Sequence, residues 1–328
     1  MQALMTEAAL GRVADRLKTV APTLDIVTVD REGAYKRAGA PIDAAEVDPE
    51  VYWVSLDAYP AGMLPGLFGK VLQGTRGQWA QVFSAGLDNA AFKGVMAKGV
   101  RISKSSAQAI PIAEYVIAHA FSLLHPIDEA HEAQAQKAWR RLSFREIGHS
   151  KWLLVGLGTI GQEIARRLKP FGVHTTVVRR STAADPLADV IAQQSDLPTL
   201  LPEADVVVLA CPLTDETRNI ADEAFFQALK PGSILVNIGR GQLVDEEALK
   251  AGLDRSQPAH AVLDVFHTEP LPQEAWFWTH PQVRVTAHTS NGGDGLMERG
   301  DVQFLENLRR FLAGEPLLNE AARSEVGL

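Results

Sequence analysis

Two patterns of apolar and polar residues divide the chain. Residues 1–17 carry charges in their middle and predict an amphipathic helix. The rest of the first hundred residues alternates loops containing Gly and Pro with short apolar runs, which are Leu24–Val29, Val51–Leu56 and Trp79–Ser84. From Ala107 to Leu124 apolar side chains recur at helical spacing around Pro111, a residue that the first turn of a helix tolerates. This stretch predicts a long connecting helix.

After Trp152 the pattern changes to a regular alternation of strands and helices. Apolar or β-branched runs of strand length occur at residues 152–158, 174–178, 205–211, 233–239, 261–266 and 283–288. Helical or loop segments separate these runs, and helices are predicted over Gln162–Leu168 and Leu296–Leu312. Such an alternation indicates a parallel sheet covered by helices on both faces.

Size, charge and cysteine content limit the class of protein. With 328 residues the chain is long enough for about two domains. The 32 basic and 40 acidic residues give a net charge of −8, which disfavours binding to nucleic acid or to an anionic membrane. One cysteine, Cys211, allows no internal disulfide and no cysteine-based zinc site, and no metal is expected. Because no signal peptide or membrane span is evident, we expect a cytoplasmic protein.

A glycine turn follows the first strand of the alternating region. Gly156-x-Gly158-x-x-Gly161 lies between that strand and the next predicted helix. In a dinucleotide-binding turn the first glycine allows the tight bend, the second admits a pyrophosphate, and the third lets helix and strand pack closely. The N–H groups at the start of the helix then face the phosphates. The motif therefore predicts a dinucleotide site.

The end of the following strand indicates which dinucleotide. An NAD site has Asp or Glu there for the ribose hydroxyls. This chain has Arg179, Arg180, Ser181 and Thr182, and its next acid is Asp185. Guanidinium and hydroxyl groups suit a 2′-phosphate. We therefore expect NADP (as NADPH) to be preferred over NAD.

Polar residues follow three further strands. Arg240, Glu269 and His288 each come just after a predicted strand, and ligands of doubly wound sheets bind at the carboxyl ends of strands. Together they suit carbonyl reduction: His288 as the proton donor, Glu269 to stabilise its imidazolium, and Arg240 to hold a carboxylate. Asp264, inside an apolar strand, needs a partner, either a nicotinamide amide or a local backbone group.

These stretches resemble the D-isomer-specific 2-hydroxyacid dehydrogenases over nearly the full length of the chain. The similar segments are GLGTIGQEIARRLKPFGV, ACPLTDETRNI, LKPGSILVNIGRGQLVDEEAL, LDVFHTEPLP and VRVTAHTSNGG. Within the family, the NADPH-dependent glyoxylate/hydroxypyruvate reductases are most similar. The similarity weakens before about residue 80.

The resemblance implies an α/β fold of two Rossmann-like domains, with doubly wound parallel sheets and the active site in the interdomain cleft. Residues 1–103 and 289–328 would form the substrate domain, and residues 104–288 the dinucleotide-binding domain. The family also implies a homodimer formed through the cofactor domain. The activity implied is NAD(P)H-dependent reduction of a 2-oxoacid to an (R)-2-hydroxy acid.

The family's catalytic Arg, Glu and His correspond to Arg240, Glu269 and His288. Its loop that binds the substrate carboxylate through backbone N–H groups resembles residues 83–88, which end at Asp88, with Ala85 and Gly86 as donors. The remaining implied contacts all concern the cofactor: Thr159 and Ile160 at the pyrophosphate, Pro212 and Thr217 near the adenosine, and Ile238, Gly239 and Asp264 near the nicotinamide.

The substrate stays open at this point. Leu56, Tyr59 and Met63 form either an apolar wall for a larger substrate side chain or part of the core. The alternatives within oxidoreductases are a reductase of a bulkier 2-oxoacid and a D-lactate or phosphite dehydrogenase. An alternative of another class is a dinucleotide-sensing binding protein similar to a corepressor, which the intact Arg240, Glu269 and His288 disfavour.

Overall fold

The computed structural model describes residues 1–87 and 89–328 and divides them into two compact units. Unit 1 comprises Met1–Gln108 and Asp294–Leu328, and unit 2 comprises Ala109–Gly293. Each unit contains one seven-stranded sheet. The sequence predicted boundaries after residues 103 and 288, and both lie five residues before the boundaries in the structure. The difference has a local cause, because Lys104 and Ser105 donate backbone hydrogen bonds to Asn319 and Ser84 of unit 1.

Unit 1 contains strands β1 to β7, at Gln2–Thr6, Asp25–Val29, Tyr35–Arg37, Ala40–Ile42, Val51–Val54, Trp79–Val82 and Arg101–Ser103. Its helices are α1 (Glu7–Val20), α2 (Leu64–Gln73), α3 (Ala90–Ala97) and, near the end of the chain, α10 (Leu296–Ala313). The order across the sheet is β4-β3-β2-β1-β5-β6-β7, in which the β2–β3 and β3–β4 pairings are antiparallel and the other pairings are parallel.

The beginning of the chain corrects one prediction. Residues 1–17 do not form a single helix, because Gln2–Thr6 is a fully buried strand between β2 and β5. Helix α1 begins only at Glu7, where the Thr6 hydroxyl accepts the Ala9 N–H at 3.0 Å and caps the helix. The first residues contain no β-branched residue before Thr6, so the local sequence does not favour a strand. Pairing with two neighbouring strands overrides that weak preference.

Unit 2 contains strands β8 to β14, at Lys151–Val155, His174–Val178, Val190–Ala192, Val206–Leu209, Ile234–Asn237, His260–Leu263 and Val283–Val285. Its helices α4 to α9 are at Ala109–Leu124, Ile127–Ala135, Thr159–Leu168, Leu197–Leu200, Glu223–Ala228 and Glu246–Asp254. The order across the sheet is β10-β9-β8-β11-β12-β13-β14, and every pairing is parallel.

Both faces of the unit 2 sheet are buried, as the alternating pattern predicts. One face packs against α4 and α6 and the other against α8 and α9. The doubly wound α/β fold is therefore confirmed. Five of the strands described in unit 2 end two or three residues earlier than the apolar runs that predicted them, and the residues after them form the loops of the candidate site.

Among the described residues, no single helix has both the length and the apolar composition of a membrane span. Only the bent pair α4 and α5 reaches that composition when taken together, with an angle of 57° between the two helices.

Candidate active site

The turn between β8 and α6 has the geometry that the glycine motif predicts. Gly156 has φ +109°, and a Cβ atom there would lie 2.8 Å from the backbone of Ala210 and Cys211. A Cβ on Gly161 would lie 2.3 Å from the carbonyl oxygen of Gly156. Both positions therefore require glycine for packing inside unit 2.

Gly158 differs from its two neighbours in the motif. It is exposed, and a Cβ atom there would meet nothing within 4 Å. It is the N-cap of α6, whose first turn includes Thr159, Ile160 and Gly161. The N–H groups of a first helical turn have no partner within the helix, so they can bind phosphate. The open space at Gly158, beside these donors, fits a dinucleotide pyrophosphate.

The two arginines in the turn after β9 have different environments. The Arg179 guanidinium is committed to its own loop: it donates to the Ser181 carbonyl at 3.0 Å, to the Ala183 carbonyl, and to Asp185 at 3.4 Å. Arg180 is exposed and has no polar partner within the described residues, and Ser181 and Thr182 beside it are exposed as well. Arg179 therefore shapes the turn, and Arg180 projects a cation from it.

Pro212 and Thr217 lie in the loop after β11. The Thr217 hydroxyl donates to the Pro212 carbonyl at 2.7 Å and accepts the Thr214 N–H at 2.8 Å. These two bonds close the loop on itself. The two residues expected on the adenosine side are therefore brought together by the fold.

The turn that carries Arg240 is fixed by the buried side chain of Asn237. Its amide oxygen accepts the Gly239 N–H at 3.1 Å, and its amide nitrogen donates to the Arg240 carbonyl at 2.9 Å. Ile238 is buried beside it. A Cβ on Gly241 would lie 2.0 Å from the Phe266 carbonyl carbon, so the turn packs directly on the loop after β13. The Arg240 guanidinium donates to the Gly239 carbonyl at 2.6 Å.

Glu269 and His288 form a hydrogen-bonded pair. Glu269 Oε2 lies 2.8 Å from His288 Nδ1, and Glu269 Oε1 accepts the Phe266 N–H at 3.0 Å. The bond orients the imidazole and leaves Nε2, which has no hydrogen-bond partner in the described part of the chain, as the nitrogen that can meet a substrate. The side chain of His288 is 50% exposed, so this nitrogen is accessible.

Asp264 binds the backbone that carries His288. Its carboxylate accepts the Thr289 N–H at 2.8 Å and the Ser290 N–H at 3.2 and 3.1 Å, and Thr286 Oγ1 donates to Oδ1 at 2.6 Å. Three of these bonds reach Oδ1, whereas Oδ2 accepts only one. The sequence left two possible partners for Asp264, a local backbone group or a nicotinamide amide. The structure shows the bonds to the local backbone, and Oδ2 can still accept an N–H from a ligand.

The predicted carboxylate-binding loop lies in unit 1. With the Gln108 amide oriented so that both of its atoms have partners, Gln108 donates to the Phe83 carbonyl at 2.9 Å and accepts the Ala85 N–H at 2.8 Å. The Gly86 N–H has no partner among the residues that the structure describes. Asp88, at the end of the predicted loop, lies outside the described residues.

The candidate wall for a substrate side chain is mixed in character. Met63 packs against the core of unit 1, and Leu56 is half-buried. Tyr59 is 65% exposed and its ring contacts that of Phe83, with the ring centroids 5.9 Å apart. Tyr59 is therefore the member of the three with an accessible ring.

Three functional positions were missed in the sequence. Asn237, Tyr115 and Thr286 support the turns of the candidate site, and Tyr115 Oη lies 2.7 Å from Thr286 Oγ1. An Asn inside an apolar strand is a signal, because a buried amide needs partners. Tyr115 gave no such signal, since a Tyr on a helix face is ordinary core composition.

The arrangement in unit 2 combines an imidazole after β14, a carboxylate after β13 that orients it, a guanidinium after β12 and a dinucleotide turn after β8. It can donate a proton to an oxygen atom and hold an anion beside it. Each of these groups follows a strand of one parallel sheet, at the edge where open α/β sheets bind ligands.

Comparison with known proteins identifies the class. The model of the D-isomer specific 2-hydroxyacid dehydrogenase NAD-binding domain matches residues 117–290, more than half of the chain. The chain belongs to the D-isomer-specific 2-hydroxyacid dehydrogenase family, and the resemblance noted in the sequence is confirmed.

The relatives include more than one activity. Glyoxylate/hydroxypyruvate reductase A of Serratia proteamaculans is 31% identical over 222 residues, which cover 65% of this chain and 71% of the relative. D-3-phosphoglycerate dehydrogenase of Mycobacterium leprae is 34% identical over 233 residues, which cover 70% of this chain and 44% of the relative.

A solved structure supports the fold over the whole chain. The D-isomer specific 2-hydroxyacid dehydrogenase of Xanthobacter autotrophicus Py2, in complex with NADPH and MES, is similar with a TM-score of 0.77 and 25% identity, covering 99% of this chain and 98% of that one.

Proposed function

We propose that this protein is an NADPH-preferring reductase that converts a small 2-oxoacid such as glyoxylate or hydroxypyruvate to the (R)-2-hydroxy acid. The observation that carries the proposal is the hydrogen bond between Glu269 and His288, together with the Arg240 turn that packs against the same loop. A proton donor beside an anion-binding guanidinium is what reduction of a 2-oxoacid needs. A reduced nicotinamide dinucleotide, when bound, would supply the hydride.

His288 and Glu269 act on the carbonyl oxygen in this proposal. Nδ1 of His288 is held by Glu269, so Nε2 carries the proton that moves to the oxygen. Glu269 is itself held by the Phe266 N–H and stabilises the charged imidazole. Arg240 binds the substrate carboxylate in unit 2, and the N–H groups of Ala85 and Gly86 are carboxylate donors of unit 1 that the family resemblance adds. A carboxylate that uses the Ala85 N–H must displace the amide oxygen of Gln108.

The proposed cofactor contacts all lie in unit 2. Gly156 and Gly161 shape the turn, Gly158 with Thr159 and Ile160 would hold the pyrophosphate, and Pro212 and Thr217 would border the adenosine. Ile238, Gly239 and Oδ2 of Asp264 border the nicotinamide. These assignments rest on the strand ends from which the residues come.

NADPH preference rests on the turn after β9. A 2′-phosphate needs a cation that is not already neutralised, and Arg180 offers one while Arg179 is bonded within the turn. The exposed hydroxyls of Ser181 and Thr182 add donors. No acid precedes Asp185 in this turn, and Asp185 is paired with Arg179.

We also propose a homodimer formed through the cofactor domain. Between α5 and β8, the Trp139 side chain is fully exposed and Phe144 is 57% exposed. Burying a side chain such as Trp139 contributes about 2–3 kcal/mol or more, so a segment with two exposed aromatic rings suits contact with a second copy.

The test is the initial rate of NADPH oxidation with glyoxylate, hydroxypyruvate, pyruvate and phenylpyruvate, repeated with NADH. We expect turnover of glyoxylate and hydroxypyruvate, with a higher kcat/KM for NADPH than for NADH. Turnover of phenylpyruvate alone would move the substrate to bulkier acids, and faster reaction with NADH would contradict the cofactor assignment. Dinucleotide binding without turnover of any 2-oxoacid would favour a binding protein.

A further inference from the structure

His288 has a backbone conformation that few side chains adopt. Its φ is +52°, in the left-handed region that favours Gly, Asn and Asp. The fold holds this conformation from both sides, because the His288 N–H donates to the Asp264 carbonyl at 2.9 Å and the next two N–H groups donate to the Asp264 carboxylate. The position of the imidazole therefore depends on the orientation of Asp264.

The Asp264 carboxylate is in turn held by a chain of two hydroxyl groups. Thr286 Oγ1 lies 2.6 Å from Asp264 Oδ1 and 2.7 Å from Tyr115 Oη. Thr286 has one hydroxyl proton, and it donates this proton to the carboxylate. The Tyr115 hydroxyl must therefore donate to Thr286, which fixes the direction of the chain from Tyr115 through Thr286 to Asp264.

The surroundings of Tyr115 suit this role. It lies on α4, the first helix of unit 2, and its ring contacts that of His119 with centroids 4.3 Å apart. Burial raises the pKa of Tyr115 to about 12, so the hydroxyl keeps its proton and stays a donor at neutral pH. Asp264, at the other end of the chain, is 1% exposed, so water cannot replace a lost donor there.

We propose that Tyr115 is a positioning residue of the active site, which acts through Thr286 to orient Asp264 and with it the backbone of His288. The inference rests on the proposed role of His288 as the proton donor. Tyr115 makes its hydrogen bond to Thr286 and its ring contact to His119, and not to Glu269 or His288, so its contribution is the donated hydrogen bond rather than the volume of its ring.

Four variants test the chain of hydroxyl groups. Tyr115→Phe removes only the first donor, Thr286→Val removes the second with nearly the same shape, and the third variant combines both. Thr286→Ser keeps the hydroxyl and serves as the rescue. Tyr52→Phe is the matched control, because Tyr52 is also buried but its hydroxyl has no hydrogen-bond partner in the described structure.

The expected result is a fall in kcat without a matching change in KM. We expect kcat to fall about 3- to 10-fold in Tyr115→Phe, which loses one hydrogen bond. In Thr286→Val we expect a fall of about 10- to 100-fold, because two coupled hydrogen bonds are lost. The double variant should equal Thr286→Val alone, because Tyr115 acts only through Thr286. Thr286→Ser and Tyr52→Phe should keep kcat within about twofold of the original.

A second measurement does not depend on activity. Hydrogen exchange of the Thr289 and Ser290 N–H groups should accelerate in Tyr115→Phe and Thr286→Val and not in Tyr52→Phe. Additive effects of the two substitutions on kcat, or unchanged exchange with unchanged kcat in Tyr115→Phe, would overturn the inference. Faster exchange in a protein that reduces no 2-oxoacid would uphold the anchoring of this backbone and reject the proposed function instead.

Discussion

Glu269 bonds His288 and the Phe266 backbone at the same time, with Oε2 2.8 Å from His288 Nδ1 and Oε1 3.0 Å from the Phe266 nitrogen. The carboxylate thus has a fixed orientation before any substrate binds. Because the same loop supports the turn of Arg240, the imidazole of His288, which we propose as the proton donor, and the Arg240 guanidinium share one support. Preorganised groups of this kind need no rearrangement when charge develops on the substrate.

Replacement of His288 should remove the proton donor while the cofactor still binds. Asn is the suitable replacement, because Asn tolerates the left-handed backbone that His288 adopts and Ala does not. We expect His288→Asn to lower kcat about 10²- to 10⁴-fold. Glu269→Gln, which keeps its shape but not its charge, should lower kcat about 10- to 100-fold. Steady-state rates give kcat, and quenching of protein fluorescence gives the Kd of NADPH.

The control for this pair is His131→Asn, which replaces an exposed histidine of α5. It should leave kcat unchanged. Full activity in His288→Asn would remove His288 from the mechanism, and a parallel loss of NADPH binding would show that the variant had damaged the cofactor site.

The two arginines after β9 should differ in their effects on cofactor preference. Arg180→Ala should lower kcat/KM for NADPH about 10- to 100-fold and leave that for NADH nearly unchanged, because only NADPH carries the 2′-phosphate. Arg179→Ala should weaken both cofactors alike, since Arg179 shapes the turn through the Ser181 carbonyl and Asp185. The opposite pattern would assign the phosphate to Arg179.

Two glycines of one motif should separate folding from binding. Gly161→Ala places a Cβ atom 2.3 Å from a carbonyl oxygen and should destabilise the protein by about 1–3 kcal/mol. Gly158→Ala has open space and an ordinary φ of −71°, so Tm should not change, whereas the Kd for NADPH should rise about 10-fold or more as the methyl group meets the pyrophosphate. Unchanged NADPH affinity in Gly158→Ala would place the pyrophosphate elsewhere.

Asp205 should make the stability of the protein sensitive to acid. Burial favours its neutral form, but hydrogen bonds from Lys230, the Lys151 N–H and Arg145 outweigh burial and hold its pKa below the ordinary value. A carboxylate with a lowered pKa in the folded state stabilises it above the ordinary pKa, and that contribution is lost as the pH falls through the lowered value.

Asp205→Asn should therefore lower the free energy of unfolding by about 1.5–3 kcal/mol at pH 7 and by less as the pH falls, in urea unfolding series. Asp15→Asn is the control, because the Asp15 side chain is 96% exposed. A constant difference between the original protein and Asp205→Asn at every pH would contradict this explanation.

The proposed dimer depends on the exposed segment before β8. Trp139→Ala should shift the protein toward monomer in sedimentation equilibrium at micromolar concentration, because its fully exposed ring is the largest apolar group offered there. Trp278→Ala is the control, since Trp278 is 49% exposed and its indole donates within its own loop. A monomer in the unchanged protein would reject the homodimer.

The sequence by itself determined the alternating strands of unit 2, the glycine turn and the placement of Arg240, Glu269 and His288 in the loops that follow strands of that sheet. These features depend on local pattern: the apolar runs are buried on both faces, glycine is required where a Cβ has no room, and the polar residues lie in the loops that follow strands. The family followed from the same segments.

Only the tertiary structure decided that the first residues form a strand. It also decided that Arg179, and not Arg180, makes hydrogen bonds within its own turn. The same holds for the link from Tyr115 on α4 through Thr286 to Asp264. Each of these depends on partners distant in sequence or on the competition among several donors. Tyr115 and Thr286 are 171 positions apart, and no local pattern encodes a hydrogen bond between them. Such bonds exist only once the sheet brings their elements together.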